Sequence, residues 1–395
     1  MLLWGTMRRA IRKALAVCLF VDLVGSCGGI GAADDAPLDI STCQDNWSVL
    51  LQASDNVWNI QSSLGGSGLT WSNGQLYFDY WDRASANREA IASLPTSTPG
   101  QQYTNVMSFD APNVAPSYWW IEDDQLIYVG GNIALYSVPL NGSAQPTQLV
   151  DLAQSSSNTY VIDIDFVLDA EAVYWVRLER GTSSDTTSGW SVWRALRTSG
   201  ELQQLAIMPV ASAYSGSKST LTLTQDSVVV FDGILGIMGG GTLYVLPKTG
   251  GTLRVLPEPS PGWLLATSAD GVSLWLESLS GGKSYRIWRS TIDGAVPTPF
   301  WTDKPPSLFL TQAWSDGTGG WYLAAWEYTK GELAPDSQHT SIWSLDSSGH
   351  GVRVACNPLS GFTSELATAL SPTAFFLLDM AGTSDRTESI LSIAR

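Results

Sequence analysis

The feature that most restricts how this chain can fold is a phrase that recurs seven times along it. Each copy has a short apolar or aromatic pair, a polar stretch, a second aliphatic or aromatic pair and a Gly-containing turn. The first pair reads Leu76-Tyr77, Ile127-Tyr128, Val173-Tyr174, Val229-Val230, Leu274-Trp275, Trp321-Tyr322 and Phe375-Phe376. The second reads Ile91-Ala92, Leu135-Tyr136, Val192-Trp193, Leu243-Tyr244, Ile287-Trp288, Ile342-Trp343 and Ile390-Leu391. From Ala92 to Leu391 six intervals span 299 residues, a period of about 50. A unit of that length cannot bury its apolar face alone and stacks against its neighbours.

Within a copy the residues are those of strands, as in Ala172 to Val176 and Trp190 to Arg194, β-branched and aromatic between turn signals. Turns such as Leu140-Asn141-Gly142, Thr198-Ser199-Gly200, Lys248-Thr249-Gly250-Gly251, Ile292-Asp293-Gly294 and Ser347-Ser348-Gly349 fall between third and fourth strands, with Gly supplying positive φ. Arg83 to Leu94 comes nearest to helical spacing after the N-terminal segment. The expected fold is all-β, a β-propeller of seven four-stranded blades, with six or eight if one unit is misphased. The last copy stops at Arg395 directly after its third strand, Ser389 to Ala394. Trp47-Ser48-Val49-Leu50-Leu51 alternates suitably to supply the missing fourth strand, and an unfinished sheet would otherwise leave an open edge.

The N-terminus reads as an export segment. Arg8, Arg9, Arg12 and Lys13 precede an apolar stretch from Ala14 to Ser26, the length of a signal-peptide core and too short to span a bilayer. Met7 serves as a start as well as Met1, and Asp22 is unfavourable inside the stretch. Arg8-Arg9 is a weak twin-arginine match. Val24-Gly25-Ser26-Cys27 resembles the bacterial lipobox, and that resemblance implies a lipidated N-terminal Cys27 carrying enough acyl chains for stable anchoring. The alternative is cleavage near Gly31-Ala32-Ala33, with Cys27 discarded. The expected organisation is a signal peptide over 1–26, with the lipobox at 24–27, a linker over 27–46 and a propeller domain over 47–395. Gly28 after Cys27 lacks the Asp that retains some lipoproteins in the inner membrane, so the resemblance implies the outer membrane, with the periplasm as the other address.

With Cys18 removed and Cys27 lipidated, Cys43 and Cys356 remain and pair by default in an oxidising compartment, two free thiols being the alternative. Such a bridge closes a loop of 313 residues, for which chain entropy gives about 5 to 6 kcal/mol at most. It is expected to lock the seam between the chain ends. Loss of residues 1–26 removes four cations and one anion, leaving 17 against 36 and a net charge of −19, which favours solubility.

Composition excludes several functions. The chain has 2 His and a pI near 4.4, too few ligands for a three-His metal site and the wrong charge for nucleic acid. Ser215 to Lys218, Lys248-Thr249-Gly250 and Ser54-Asp55-Asn56 match the three marks of penicillin-recognising enzymes, but in the wrong order, and Ser280 to Lys283 repeats the first mark. A Ser-His-Asp triad would need His339 or His350, the latter in a turn expected to be exposed.

Val173-Tyr174-Trp175 and the run Ile287 to Gly294 resemble TolB-like and YWTD-type bacterial propellers, over nearly all of residues 47 to 395. The resemblance is at the level of fold. It implies a rigid scaffold that presents loops to a protein or glycan partner.

The stretch between second and third strands varies most in length, which is where binding concentrates on a rigid frame. In the third copy it carries Arg177, Glu179, Arg180 and Trp190, and in the sixth Trp326, Glu327, Tyr328, Lys330, Glu332, Asp336 and His339. Of these, Arg177, Glu179, Trp190, Trp326, Tyr328 and His339 are the binding candidates, against the alternative of tolerated insertions. Trp193, Trp288 and Trp343 recur at one strand position and read as packing between blades. Trp81, Trp190 and Trp326 fall on expected loops and suit stacking on sugars. Asp163 and Asp165 alternate with Ile162, Ile164 and Phe166 in the expected innermost strand of the third blade; they are candidates for Ca²⁺, with a solvated channel lining as the alternative. No other cofactor and no catalytic residue is assigned. The expected role is a monomeric, exported, lipid-anchored binding or scaffolding module of the bacterial cell envelope, partnered by an envelope protein or glycan. Its alternatives are an enzyme on envelope glycans or polymers, using Glu179, Glu327, Glu332 or Asp336, and a structural subunit of an envelope assembly complex.

Overall fold

The computed structural model describes residues 47–52, 57–61, 69–82, 88–97, 102–109, 119–130, 134–141, 145–151, 165–180, 187–208, 217–234, 241–256, 262–278, 285–305, 308–328, 338–357, 368–381 and 387–395. These form 29 strands in seven antiparallel sheets, and each copy of the sequence phrase makes one sheet.

The first sheet holds β2 (Val57–Gln61), β3 (Leu69–Ser72), β4 (Gln75–Asp82), β5 (Arg88–Pro95) and β6 (Thr104–Phe109). The second holds β7 (Trp119–Glu122), β8 (Gln125–Gly130), β9 (Ala134–Pro139) and β10 (Thr147–Asp151). The third holds β11 (Asp165–Leu168), β12 (Ala172–Arg180), β13 (Thr187–Leu196) and β14 (Leu202–Met208). The fourth holds β15 (Ser217–Leu223), β16 (Ser227–Ile234), β17 (Gly241–Pro247) and β18 (Arg254–Leu256). The fifth holds β19 (Gly262–Thr267), β20 (Val272–Ser278), β21 (Tyr285–Thr291) and β22 (Thr298–Trp301). The sixth holds β23 (Leu308–Ser315), β24 (Trp321–Tyr328), β25 (Gln338–Leu345) and β26 (Gly351–Asn357). The seventh holds β27 (Thr368–Leu370), β28 (Ala374–Ala381) and β29 (Thr387–Ala394), completed by β1 (Ser48–Gln52). The seven sheets are the blades of a β-propeller.

Two details refine the expectation. The first blade is five-stranded, because β2 and β3 share one edge of β4: Val57 pairs with Asp82 and Leu69 with Phe78. From Arg88 on, the stretch nearest to helical spacing is strand β5, its backbone paired from Gln75–Pro95 to Asp82–Arg88. Ala90, Ile91, Ala92 and Leu94 are all buried there, so burial on both faces replaced the alternation that would have marked a strand.

The missing fourth strand of the seventh blade comes from the N-terminal side, as expected. β1 runs antiparallel to β29, Ser48 opposite Ser392 and Gln52 opposite Ser389, with a break in register between Val49 and Leu51. Leu50 is 3% exposed, in a core with Phe376, Leu378, Ile390, Leu76, Phe78 and Tyr80.

The chain falls into two compact units, 1–152 with 326–341 and 354–395, and 153–325 with 342–353. In the first, the core holding Leu50 joins the seventh and first blades, and Tyr77, Ile91, Phe109, Trp119, Leu126 and Tyr128 join the first and second. In the second, Tyr174, Val176, Trp190, Val192, Leu221, Val230 and Tyr244 join the third and fourth blades. Phe231, Leu243 and Trp275 join the fourth and fifth. Trp301 and Trp343 lie 5.3 Å apart between the fifth and sixth. Two of the recurring tryptophans pack between blades, as their regularity predicts: Trp343 is 6% exposed and Trp288 lies against the Trp275 core, while Trp193 stacks on Trp175 of its own blade.

The turn joining first and second strands has its own chemistry. Asn73-Gly74 and Asp123-Asp124 take positive φ at both positions, the geometry of the two-residue hairpin. In five other blades a side-chain oxygen near the end of the first strand accepts an amide at the start of the second: Asp169 from Ala172, Thr224 from Ser227, Ser268 from Val272, Asp316 from Gly320 and Ser371 from Ala374. These side chains satisfy backbone donors that the ladder leaves over.

Candidate functional site

Each blade has two ends, and they differ in what their polar groups do. At one end lie the turn between first and second strands and the turn between third and fourth. A main-chain hydrogen bond clasps this end in six blades, joining the two turns in five, Thr96 N to Gly74 O, Leu140 N to Asp124 O, Arg197 N to Glu171 O, Lys248 N to Asp226 O and Ile292 N to Gly271 O, and joining the end of the third strand to the first turn in the seventh, Arg395 N to Thr373 O, all at 2.8–3.2 Å. Groups so used hold the blade and are not offered to a ligand.

The charged side chains at this end are also spent on structure. Lys248 Nζ lies 2.9 Å from Asp169 Oδ2, both part-buried, and Arg197 donates to the Asp169 carbonyl at 2.9 Å. Burial pushes the Asp169 carboxyl up, but the hydrogen bond from Lys248, the amides of Ala172 and Glu171 and the Lys248 charge outweigh it and hold the group below its ordinary 3.8. Burial first, then the Asp169 charge, pushes the Tyr174 phenol up to about 12, so it stays neutral. Lys248 of the Lys-Thr-Gly match is thus an ion-pair partner.

Because the folded-state pKa of Asp169 is depressed, its contribution to stability is complete above the ordinary carboxylate value and is lost as pH falls through the lowered one. Lys248→Met is therefore expected to lower the thermal midpoint at about pH 7 by more than at about pH 3. An equal deficit at both pH values would show that the pair is not coupled to folding.

The opposite end of each blade carries the connection from second to third strand and the connection to the next blade. Many of its residues, including 83–87, 181–186 and 329–337, lie outside the described ones. The sequence-predicted residues lie toward this end of their own blades, but on strands. Arg177 and Glu179 belong to β12, their backbones opposite Ser191 and Gly189 of β13. Trp326 and Tyr328 belong to β24, His339 to β25 and Trp81 to β4. For all six only the backbone is described. The expected long loop of the third blade is thus mostly ladder, with Arg180 paired to Thr187, because the β-branched and aromatic residues flanking it continue the hairpin.

Trp190 needs correction as a stacking candidate. It is 2% exposed in β13, opposite Leu178, and packs with Val192, Met208 and Leu221. An indole so enclosed presents no face to a sugar. Asp165 opens β11 with its backbone opposite Val176, and its side chain is outside the described part. Asp163, Cys27 and Cys43 also lie outside the described residues. Among those described, no three His, Cys, Asp or Glu residues come together as metal ligands. His350 is exposed, as expected of its turn, with Nδ1 3.7 Å from Asp303.

Carboxylates toward this end of their blades include Glu327, which the sequence named, and Asp79 and Glu277, which it did not single out. Asp79 of β4 and Glu327 of β24 are each 1% exposed, and both have interaction partners. Glu277 of β20, part-buried, accepts from Trp288 Nε1 at 2.8 Å and lies 3.8 Å from Arg286. Buried carboxylates are costly unless partnered and mark sites worth testing. Asp79, Asp232 and Glu277 each stand two residues after the second member of their copy's first pair, so the repeat carried a signal that reading each copy for its aromatics passed over.

No family model matches the sequence, and the search of curated proteins gives no match. Solved structures do match. An oligogalacturonate lyase from Vibrio parahaemolyticus is 8% identical with a TM-score of 0.60, over 88% of this chain and 97% of its own. The propeller domain of the Trilobed protease from Pyrococcus furiosus is 10% identical with a TM-score of 0.54, over 86% and 94%. A puromycin-hydrolysing peptidase from Mycobacterium tuberculosis is 10% identical with a TM-score of 0.55, over 89% of this chain. The chain spans about half of that peptidase, 54% of its length. The shared property is the fold. It is a β-propeller.

Proposed function

We propose that the protein is an exported, lipid-anchored β-propeller that acts as a binding or scaffolding module at the bacterial cell envelope. The observation that carries the binding surface is the contrast between blade ends. One end is clasped by main-chain hydrogen bonds in six blades; strands β12, β24 and β25 carry Arg177, Glu179, Trp326, Tyr328 and His339 toward the other. A protein or glycan partner is the chemistry that such mixed charged and aromatic positions take. The TolB-like resemblance, supported by Val173-Tyr174-Trp175 and the run Ile287 to Gly294, and the anchor at Cys27, supported by the N-terminal sequence, belong to this proposal. Ca²⁺ at Asp163 and Asp165 remains part of it as a cation site.

Crosslinking of the full-length protein in its own cells, followed by mass spectrometry, tests this. Crosslinked peptides are expected from β12, β24 and β25, with an acylated Cys27. The double change Arg177→Ala and Glu179→Ala is expected to cut the crosslink yield about tenfold, the loss of roughly one good polar contact, while Asp226→Ala at the clasped end leaves it unchanged. Crosslinks concentrated on the clasped turns would overturn the surface, and an unmodified N-terminus beyond Cys27 would remove the anchor.

A second reading is favoured by the buried carboxylates Asp79 and Glu327 together with likeness to oligogalacturonate lyases, one of them in complex with manganese, at 10% identity and a TM-score of 0.57. In it the protein is an enzyme on uronate-containing envelope polymers. Ultraviolet detection of an unsaturated product from oligogalacturonate, with and without manganese, tests it. Turnover lost in Asp79→Asn supports an enzyme, and no turnover in either condition rejects this substrate class.

A further inference from the structure

We propose that Cys356 is bonded to Cys43 and that this bridge is a redox latch on β1, the strand that completes the seventh blade. Cys356 lies in β26 and is 1% exposed, beside Ala355, also 1% exposed. It is disulfide-bonded, and it is the one cysteine among the described residues, so no complete pair is described. The other cysteines of the chain, Cys18, Cys27 and Cys43, all precede Trp47. The partner of Cys356 is therefore upstream of β1.

Trp47 decides which cysteine it is. Its Nε1 donates to the Cys356 carbonyl at 2.9 Å, which holds the chain just before β1 against the end of β26. Cys43 stands four residues earlier; four extended residues reach about 14 Å, and a bridge needs the two Cα atoms within roughly 7 Å. With the chain anchored at Trp47, the four-residue reach allows Cys43 to satisfy that requirement. Cys27 is twenty residues away, and in the proposed function it carries lipid.

The latch acts on a weakly held strand. β1 has five residues, its register with β29 breaks between Val49 and Leu51, and Val49 is 49% exposed. Few hydrogen bonds close the blade across a separation of more than 300 residues. A tether at Cys43 keeps β1 at a high effective concentration beside β29. A dithiol reductant reverses this by giving two electrons and two protons: the Cys43–Cys356 S–S bond breaks, both leave as thiols, and the reductant becomes a disulfide. Without the tether β1 leaves β29, and the freed edge of Thr387–Ala394 is open to strand addition.

Non-reducing peptide mapping and hydrogen exchange of the full-length protein test the latch. The expected result is a peptide linking Cys43 to Cys356. Dithiothreitol is expected to raise exchange at least tenfold in β1 and β29 and to leave β16 and β17 unchanged. Cys43→Ser, which keeps the buried Cys356, is expected to give the same pattern without reductant. A peptide linking Cys356 to Cys27 or Cys18 would overturn the assignment. Unchanged exchange at β29 on reduction and in Cys43→Ser would overturn the latch. A link to Cys27 would also remove the lipid anchor, but no outcome bears on where partner crosslinks fall, so the latch and the binding surface fail separately.

Discussion

Gly349→Ala is expected to destabilise the protein by about 2–5 kcal/mol, seen as a large fall in the urea midpoint and in soluble yield. Gly349 has φ +87°, and a Cβ there would overlap the Phe300 carbonyl oxygen and lie 3.1 Å from its ring. Two costs add. The left-handed conformation costs an L residue about 1–2 kcal/mol, and moving a packed main-chain carbonyl adds about 1–3 kcal/mol of overpacking. Gly200→Ala separates them: its φ is +68°, with nothing within 4 Å of the added carbon, so about 1–2 kcal/mol is expected. Equal midpoints for the two variants would show that the approach of the sixth-blade turn to Phe300 carries no stability.

The second large effect concerns a buried indole. Ser290→Ala is expected to cost about 1–3 kcal/mol, the penalty for stranding a buried donor. Trp275 is fully buried, and its Nε1 donates to Ser290 Oγ at 2.8 Å. The third blade repeats this geometry without the acceptor. Trp175 is opposite Trp193 as Trp275 is opposite Trp288, and Ala195 stands where Ser290 stands. Trp175 is also fully buried, and its Nε1 has no hydrogen-bond partner among the described residues. Ala195→Ser is accordingly expected to stabilise the protein by about 0.5–1.5 kcal/mol, a small rise in the same urea midpoint. A fall would mean that the extra oxygen does not reach the indole and only overfills the site.

The tryptophans show how much of the fold could be read from residue order. Trp193, Trp288 and Trp343 recur at one phase of the repeat; Trp288 and Trp343 pack between blades, whereas Trp193 stacks on Trp175 of its own blade. Trp190 was read as a loop residue, and the structure puts it in a core with Leu221 and Val230 of the following blade. The length of a hairpin beyond its conserved pair has no period, so where β12 and β13 stop pairing is set by cross-strand contacts absent from a linear pattern. The carboxylates were legible in position and not in environment: Asp79, Asp232 and Glu277 share a phase, but that Asp79 is fully enclosed follows from what packs around it.

Residue order alone determined the all-β class, the seven units and the closure by Trp47 to Leu51, since each is a matter of period and count. The seventh unit has three strands of its own, and β1 supplies the fourth. Tertiary structure decided the split first strand of the first blade, the pairing of Lys248 with Asp169, the clasped turns, and the placing of Trp47 over Cys356. These join residues separated by 51 positions for the Asn73–Asp124 hydrogen bond and 309 for Trp47 and Cys356. Which distant groups meet depends on how whole blades stack, and stacking is settled by the fit of buried side chains.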